Sequence, residues 1–161
     1  MKKLKKLAAA LLSLAMTAML AVPAFAQAGD YSITISNTNA NHTYTAYQIF
    51  KGDVSGGTGD GTTGNSTYLL SNIEWGSGVQ NISGLLTALK TQAGFTSLTD
   101  QSTAADVAKL LDSAADLETF LTVLNGTPGY LSSTAAGTAT PGAGMTACTI
   151  NLTEGGYYLV K

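Results

Sequence analysis

Arginine is absent from this 161-residue chain, and histidine and cysteine occur once each. Eight lysines are its only permanent cations, and four of them fall within the first six residues. Beyond Ala26 only Lys51, Lys90, Lys109 and Lys161 remain, against ten acids, a net charge of about −6. A chain with no basic patch is a poor partner for nucleic acid, so that class is excluded. The single Cys148 forbids an internal disulfide, and with His42 as the lone histidine no thiol-protease pair or histidine metal cluster can be assembled. No HExxH, GxSxG or phosphate-loop pattern is present. Paired carboxylates of the glycosidase kind remain. However, Asp106, Asp112, Asp116 and Glu118 fall at predicted helix starts, where capping and the helix dipole account for them. The chain therefore reads as a non-enzyme that needs no cofactor.

What is present begins with a targeting segment. Lys2, Lys3, Lys5 and Lys6 precede Leu7 to Val22, a run of 16 residues rich in Ala and Leu. That is short of the roughly 20 residues a membrane-spanning helix requires. Pro23 and Ala24-Phe25-Ala26 follow, the layout of a secretory signal peptide cleaved after Ala26. The division is residues 1–26 as signal and 27–161 as one secreted domain, touching membrane only through its leader.

Within that domain the periodicity changes twice. Tyr31 to Ser36 alternates apolar and polar, the pattern of a half-buried strand. Thr43 to Lys51 carries Tyr44, Ala46 and Phe50 on one face and Tyr47, Ile49 and Lys51 on the other, which predicts a central strand covered on both sides. Gly52 to Thr67, with six glycines, reads as a solvated loop. Its Asp53, Asp60 and Asn65 lack the spacing of a calcium loop. Helical spacing then runs through about residues 82–125. Ser83 to Lys90 places Leu85, Leu86 and Leu89 on one side, Thr103-x-x-Asp106 and Ser113-x-x-Asp116 fit capping boxes, and Leu117, Phe120, Leu121 and Leu124 form a stripe closed by Asn125-Gly126. Strand character returns at Ala147 to Leu152 and Tyr157 to Lys161, with a tight turn at Gly155-Gly156. Cys148, Ile150 and Leu152 share one face, so Cys148 reads as a small buried hydrophobe. Strands, helices, strands in that order predict a mainly β fold with a helical insertion, in the α+β sense.

Three segments in sequence order, Tyr44-Thr45-Ala46-Tyr47-Gln48-Ile49-Phe50-Lys51-Gly52, Leu70-Ser71-Asn72-Ile73-Glu74-Trp75-Gly76 and Leu152-Thr153-Glu154-Gly155-Gly156-Tyr157-Tyr158-Leu159-Val160, resemble the N-terminal domain of sortase-assembled fimbrial shaft proteins of Gram-positive bacteria, the isopeptide-forming fimbrial family. The last resembles the L-x-x-G-x-Y ending of Ig-like, collagen-adhesin B-type modules. The resemblance implies an Ig-like β-sandwich, here cut before its closing strands, in a cell-wall-anchored pilus involved in adhesion, with neighbouring pilin subunits and sortase as partners. It also implies an internal Lys–Asn isopeptide bond beside an acid. Lys51 is the donor that fits, with Glu74 or Glu154 as the acid. No pilin-motif lysine or LPxTG-type signal is present in these residues. The first strand carries no lysine, and Lys161 stands where such a module often has glutamate. The alternative expectation is an adhesin or pilus-tip module binding a host ligand or glycan, with a secreted hydrolase a distant third.

Overall fold

The computed structural model describes residues 31–36, 38–56, 68–126 and 129–161. The leader with its Ala26 site and the loop residues Asp60 and Asn65 lie outside the described residues. The elements are β1 (Tyr31–Ser36), β2 (Tyr44–Gly56), β3 (Tyr68–Trp75), α1 (Ile82–Leu89), α2 (Ala104–Ala108), α3 (Ala114–Asn125), β4 (Gly137–Ala139), β5 (Ala147–Leu152) and β6 (Gly156–Val160). The fold is mainly β, with two antiparallel sheets and a few short helices, as the order of periodicities predicts.

β2 organises the larger sheet. Phe50 pairs with both Trp75 of β3 and Tyr157 of β6, and Ala46 with both Gly137 of β4 and Val160 of β6. A residue has only two edges, so β6 occupies one side of β2 while β3 and β4 follow one another along the other side. The smaller sheet is β1 against β5, in register from Tyr31–Leu152 to Ser36–Ala147. Thr153 to Gly155 form a corner that carries the chain from β5 into β6. The Gly155-Gly156 signal therefore marks a passage between sheets rather than a hairpin within one.

Two apolar layers result. On the helix side, Ile49 and Phe50 pack with Leu85, Leu86 and Leu89 of α1, Val107 of α2, Phe120 and Leu124 of α3, and Phe95. Between the sheets, Ala46 packs with Ile150 and Leu152 of β5, flanked by Tyr31, Ile33, Ile35, Tyr158 and Val160. β6 divides its side chains accordingly: Leu159 joins the helix side, and Tyr158 and Val160 the inter-sheet side.

Simple alternation misplaces Phe50. A register shift between Gln48 and Phe50 against β6 inserts one extra residue into β2, so Phe50 joins Ile49 on the helix side instead of Ala46 on the other. There its ring lies 6.0 Å from that of Phe120 and 5.3 Å from that of Trp75. β2 also runs on to Gly56, so the strand takes in the first residues of the glycine-rich segment read as loop.

Helix ends follow the capping chemistry. Thr103 completes a reciprocal box with Asp106, while Ser113 accepts from the Asp116 amide. The backbone hydrogen bond that Thr103 donates to Asp106, then its hydroxyl, holds the Asp106 carboxyl below the usual carboxylate range. Asn81, in a left-handed conformation, caps α1 by accepting from the Gly84 amide.

Phe120 is 1 % exposed and bridges α3 to β2. Phe120→Ala is expected to cost about 3–5 kcal/mol, the usual range for emptying a buried aromatic site. Urea titration checks this as a fall in midpoint with an unchanged slope.

Candidate functional site

The residues singled out in the sequence are Lys51, Glu74 and Glu154, and β2 decides where they go. Lys51 stands directly opposite Glu74 on β3, and its Nζ lies 3.1 Å from Glu74 Oε2. Their side chains are 44 % and 69 % exposed, so the ammonium keeps much of its water. An amine that attacks an amide must be desolvated and brought to a carbonyl carbon. Among the described residues the polar partner of Lys51 Nζ is this carboxylate.

Glu154 is held elsewhere. It occupies the corner between β5 and β6, where its Oε2 accepts from Gln48 Nε2 at 3.3 Å. Gln48 is 2 % exposed and is the buried polar side chain of the described core. Its amide also donates to the Gly155 carbonyl at 3.3 Å and to the Tyr158 oxygen at 3.1 Å, while the Tyr158 hydroxyl donates to the Glu154 carbonyl at 2.7 Å. Sequence reading passed over Gln48 and Tyr158. The available signal was a lone amide in the otherwise apolar run Ala46 to Phe50, since a buried amide demands a full set of partners.

Backbone crowding fixes this corner. A Cβ at Gly156 would sit 2.2 Å from the Phe50 carbonyl oxygen, and one at Gly76 would sit 2.3 Å from that of Gln48. Glycines thus permit close approach on both edges of the same β2 segment. Gly76 and Gly78 turn inward there, donating to the Ile49 and Gln48 carbonyls at 2.9 and 2.8 Å.

The other lysines among the described residues are all engaged. Lys90 pairs with Asp100, and Lys109 Nζ lies 3.8 Å from Asp106. Lys161 Nζ donates to Asn125 Oδ1 at 3.0 Å, an exposed lysine–asparagine contact between the end of β6 and the end of α3 that the sequence reading did not foresee. Asp53 accepts from Asn72 Nδ2 at 2.6 Å. Cys148 is half-buried opposite Ile35, in line with Ile150 and Leu152. Two shallow depressions lie on the surface of the described residues, on the outer side of α3 around Leu117 and Leu121 and along β3. No helix among the described residues is long and apolar enough to cross a membrane. Compared with protein-family models, curated proteins and solved structures, the chain gives no match.

Burial raises the Tyr158 phenol above its ordinary value of 10.0, the hydrogen bond from Gln48 opposes this, and the charges of Glu154 and then Tyr31 add to the rise. A phenol whose proton is held more tightly in the folded state contributes stability that is whole below pH 10 and is lost as pH climbs through the folded value. Tyr158→Phe is therefore expected to flatten the loss of stability above pH 10, while its effect at neutral pH is set by the lost hydrogen bonds. Urea midpoints of both proteins across that range provide the check.

For Lys51 and Glu74, a double-mutant cycle with Lys51→Met and Glu74→Gln is expected to give a coupling below about 1 kcal/mol that shrinks with added salt. Intact mass is the companion measurement. A chain lighter than its sequence by one ammonia, lost only when Lys51 is present, would reassign Lys51 as a cross-linking amine.

Proposed function

We propose that this chain is a structural module of a covalently assembled, cell-wall-anchored surface pilus, the N-terminal module of a shaft subunit with an Ig-like sandwich. The observation that carries the reading is topological. The three segments that resemble fimbrial shaft proteins fall on β2, β3 and the corner leading into β6, and β3 and β6 are each hydrogen-bonded to β2, on its opposite edges. Segments scattered over the sequence thus form one sheet, which fits a resemblance of a folded unit better than three unrelated coincidences. In this reading neighbouring pilin subunits and sortase are the partners, and export through the Ala26 site precedes assembly.

Shallow surfaces and carboxylates committed to caps and ion pairs also suit a structural role better than a hydrolytic one. The adhesin reading rests on the same fold, and among the described residues no specific side-chain constellation favours it.

The deciding experiment expresses the complete parent gene in a sortase-positive Gram-positive host and in its sortase-deficient counterpart. A shaft subunit gives an SDS-resistant ladder on the wall that vanishes without sortase. A chain that stays monomeric in both hosts, while the purified protein binds a host glycan saturably, transfers the assignment to an adhesin.

A further inference from the structure

Asn125-Gly126 is the chain's one asparagine–glycine bond, and it closes α3 at the exposed surface. Such a bond is open to attack by its own backbone. With no Cβ in its way, the glycine nitrogen can reach the asparagine side-chain carbonyl carbon, close a five-membered succinimide and expel ammonia. Water then opens the ring to aspartate or isoaspartate.

The fold ties down the groups this reaction must move. Asn125 Nδ2, the leaving amine, donates to the Leu121 carbonyl at 2.9 Å. Asn125 Oδ1 accepts from Lys161 Nζ at 3.0 Å. The attacking nitrogen, that of Gly126, donates its proton to the Val123 carbonyl at 3.2 Å. Ring closure requires Asn125 to leave its helical backbone conformation and to swing Cγ onto the Gly126 nitrogen, because reacting atoms must be aligned within about 3–3.5 Å. The contacts to Leu121 and Val123 belong to the last turn of α3, and helix ends fray on their own. The contact from Lys161 comes from elsewhere in the chain. Lys161 follows β6, and its backbone exchanges hydrogen bonds with Thr45 of β2 at 2.8 and 2.9 Å.

We propose that Asn125 is a deamidation site held shut by β6, with the Lys161 ammonium as its guard. The step balances with water as the sole co-reactant. The Gly126 N–Cγ bond forms as Cγ–Nδ2 breaks, the Gly126 proton leaves with Nδ2 as ammonia, and water then cleaves an imide C–N bond. A lysine on Oδ1 also polarises the carbonyl, but the electrophile gains little while its nucleophile is engaged with Val123. The aspartyl product would place a carboxylate beside Lys161, turning a neutral contact into an ion pair. The isoaspartyl product would lengthen the backbone at the end of α3. This site rests on α3 and β6 alone and stands apart from the pilus reading.

The exported chain, folded and in urea, is incubated in mildly alkaline buffer. Asn125 is followed by peptide mass and isoaspartate labelling. Deamidation is expected to run about tenfold or more faster in urea than in the folded chain. Lys161→Met should speed it about threefold or more in the folded state, the worth of one lost hydrogen bond, and should leave the rate in urea unchanged. Exchange protection of the residue 161 amide, bonded to Thr45, verifies that β6 stays docked in the variant. A folded rate within about twofold of the urea rate overturns the proposal. So does a Lys161→Met chain that deamidates at the parent's folded rate, or recovery of the Asn125 and Lys161 peptides joined to each other.

Discussion

The rest of the molecule depends on one strand being occupied on four sides. From Ala46 to Lys51, β2 spends its backbone groups on β6 along one edge and on β4, Gly78, Gly76 and β3 along the other. Its side chains enter an apolar layer above and another below. A buried backbone must have its polar groups paired, so the two layers can exist only while both ladders do. The ladders in turn need the glycines that let Gly76 and Gly156 approach within a distance no side chain would permit. The extra residue at Ile49 divides the strand between the layers. Before it Ala46 faces β5, and after it Phe50 has moved to the helices.

Strands β1 and β5 were legible in the sequence to the residue, because each has one wet face and so alternates cleanly. The helices were legible from their stripes and caps, with ends displaced by about one residue, and Leu85, Leu86, Leu89, Phe120 and Leu124 are all buried. The middle of β2 was legible as a doubly covered strand but not its bulge, since a register shift leaves no mark on a pattern that is apolar on both faces. β3 escaped because Asn72 takes a positive φ of 51° and breaks the alternation between Leu70 and Ile73. β4 escaped because Gly137, Thr138 and Ala139 carry almost no hydrophobic signal, and only the pairing with β2 makes them a strand. In the candidate site, Lys51 and Glu74 meet as cross-strand neighbours. The partners of Glu154 depended on a corner between sheets that no local spacing encodes.

The polar corner of Gln48, Glu154 and Tyr158 gives the inter-sheet layer something an apolar contact cannot. An amide with several directional partners has one good arrangement, so sliding β6 by one residue against β2 would strand it without acceptors. Gln48 thereby reinforces the register that the bulge sets beside it.

The pairing of β2 with β6 also has a consequence in time. Gln48 and Tyr158 are 110 residues apart in sequence, so the ladder that centres the fold closes a long loop. Contacts of that range form late. A chain emerging from its N-terminus first must hold β2 unpaired on that edge until β6 has been made, while the local turns of α1 to α3 can form meanwhile. The sheet that centres the fold is thus the last part of it to close.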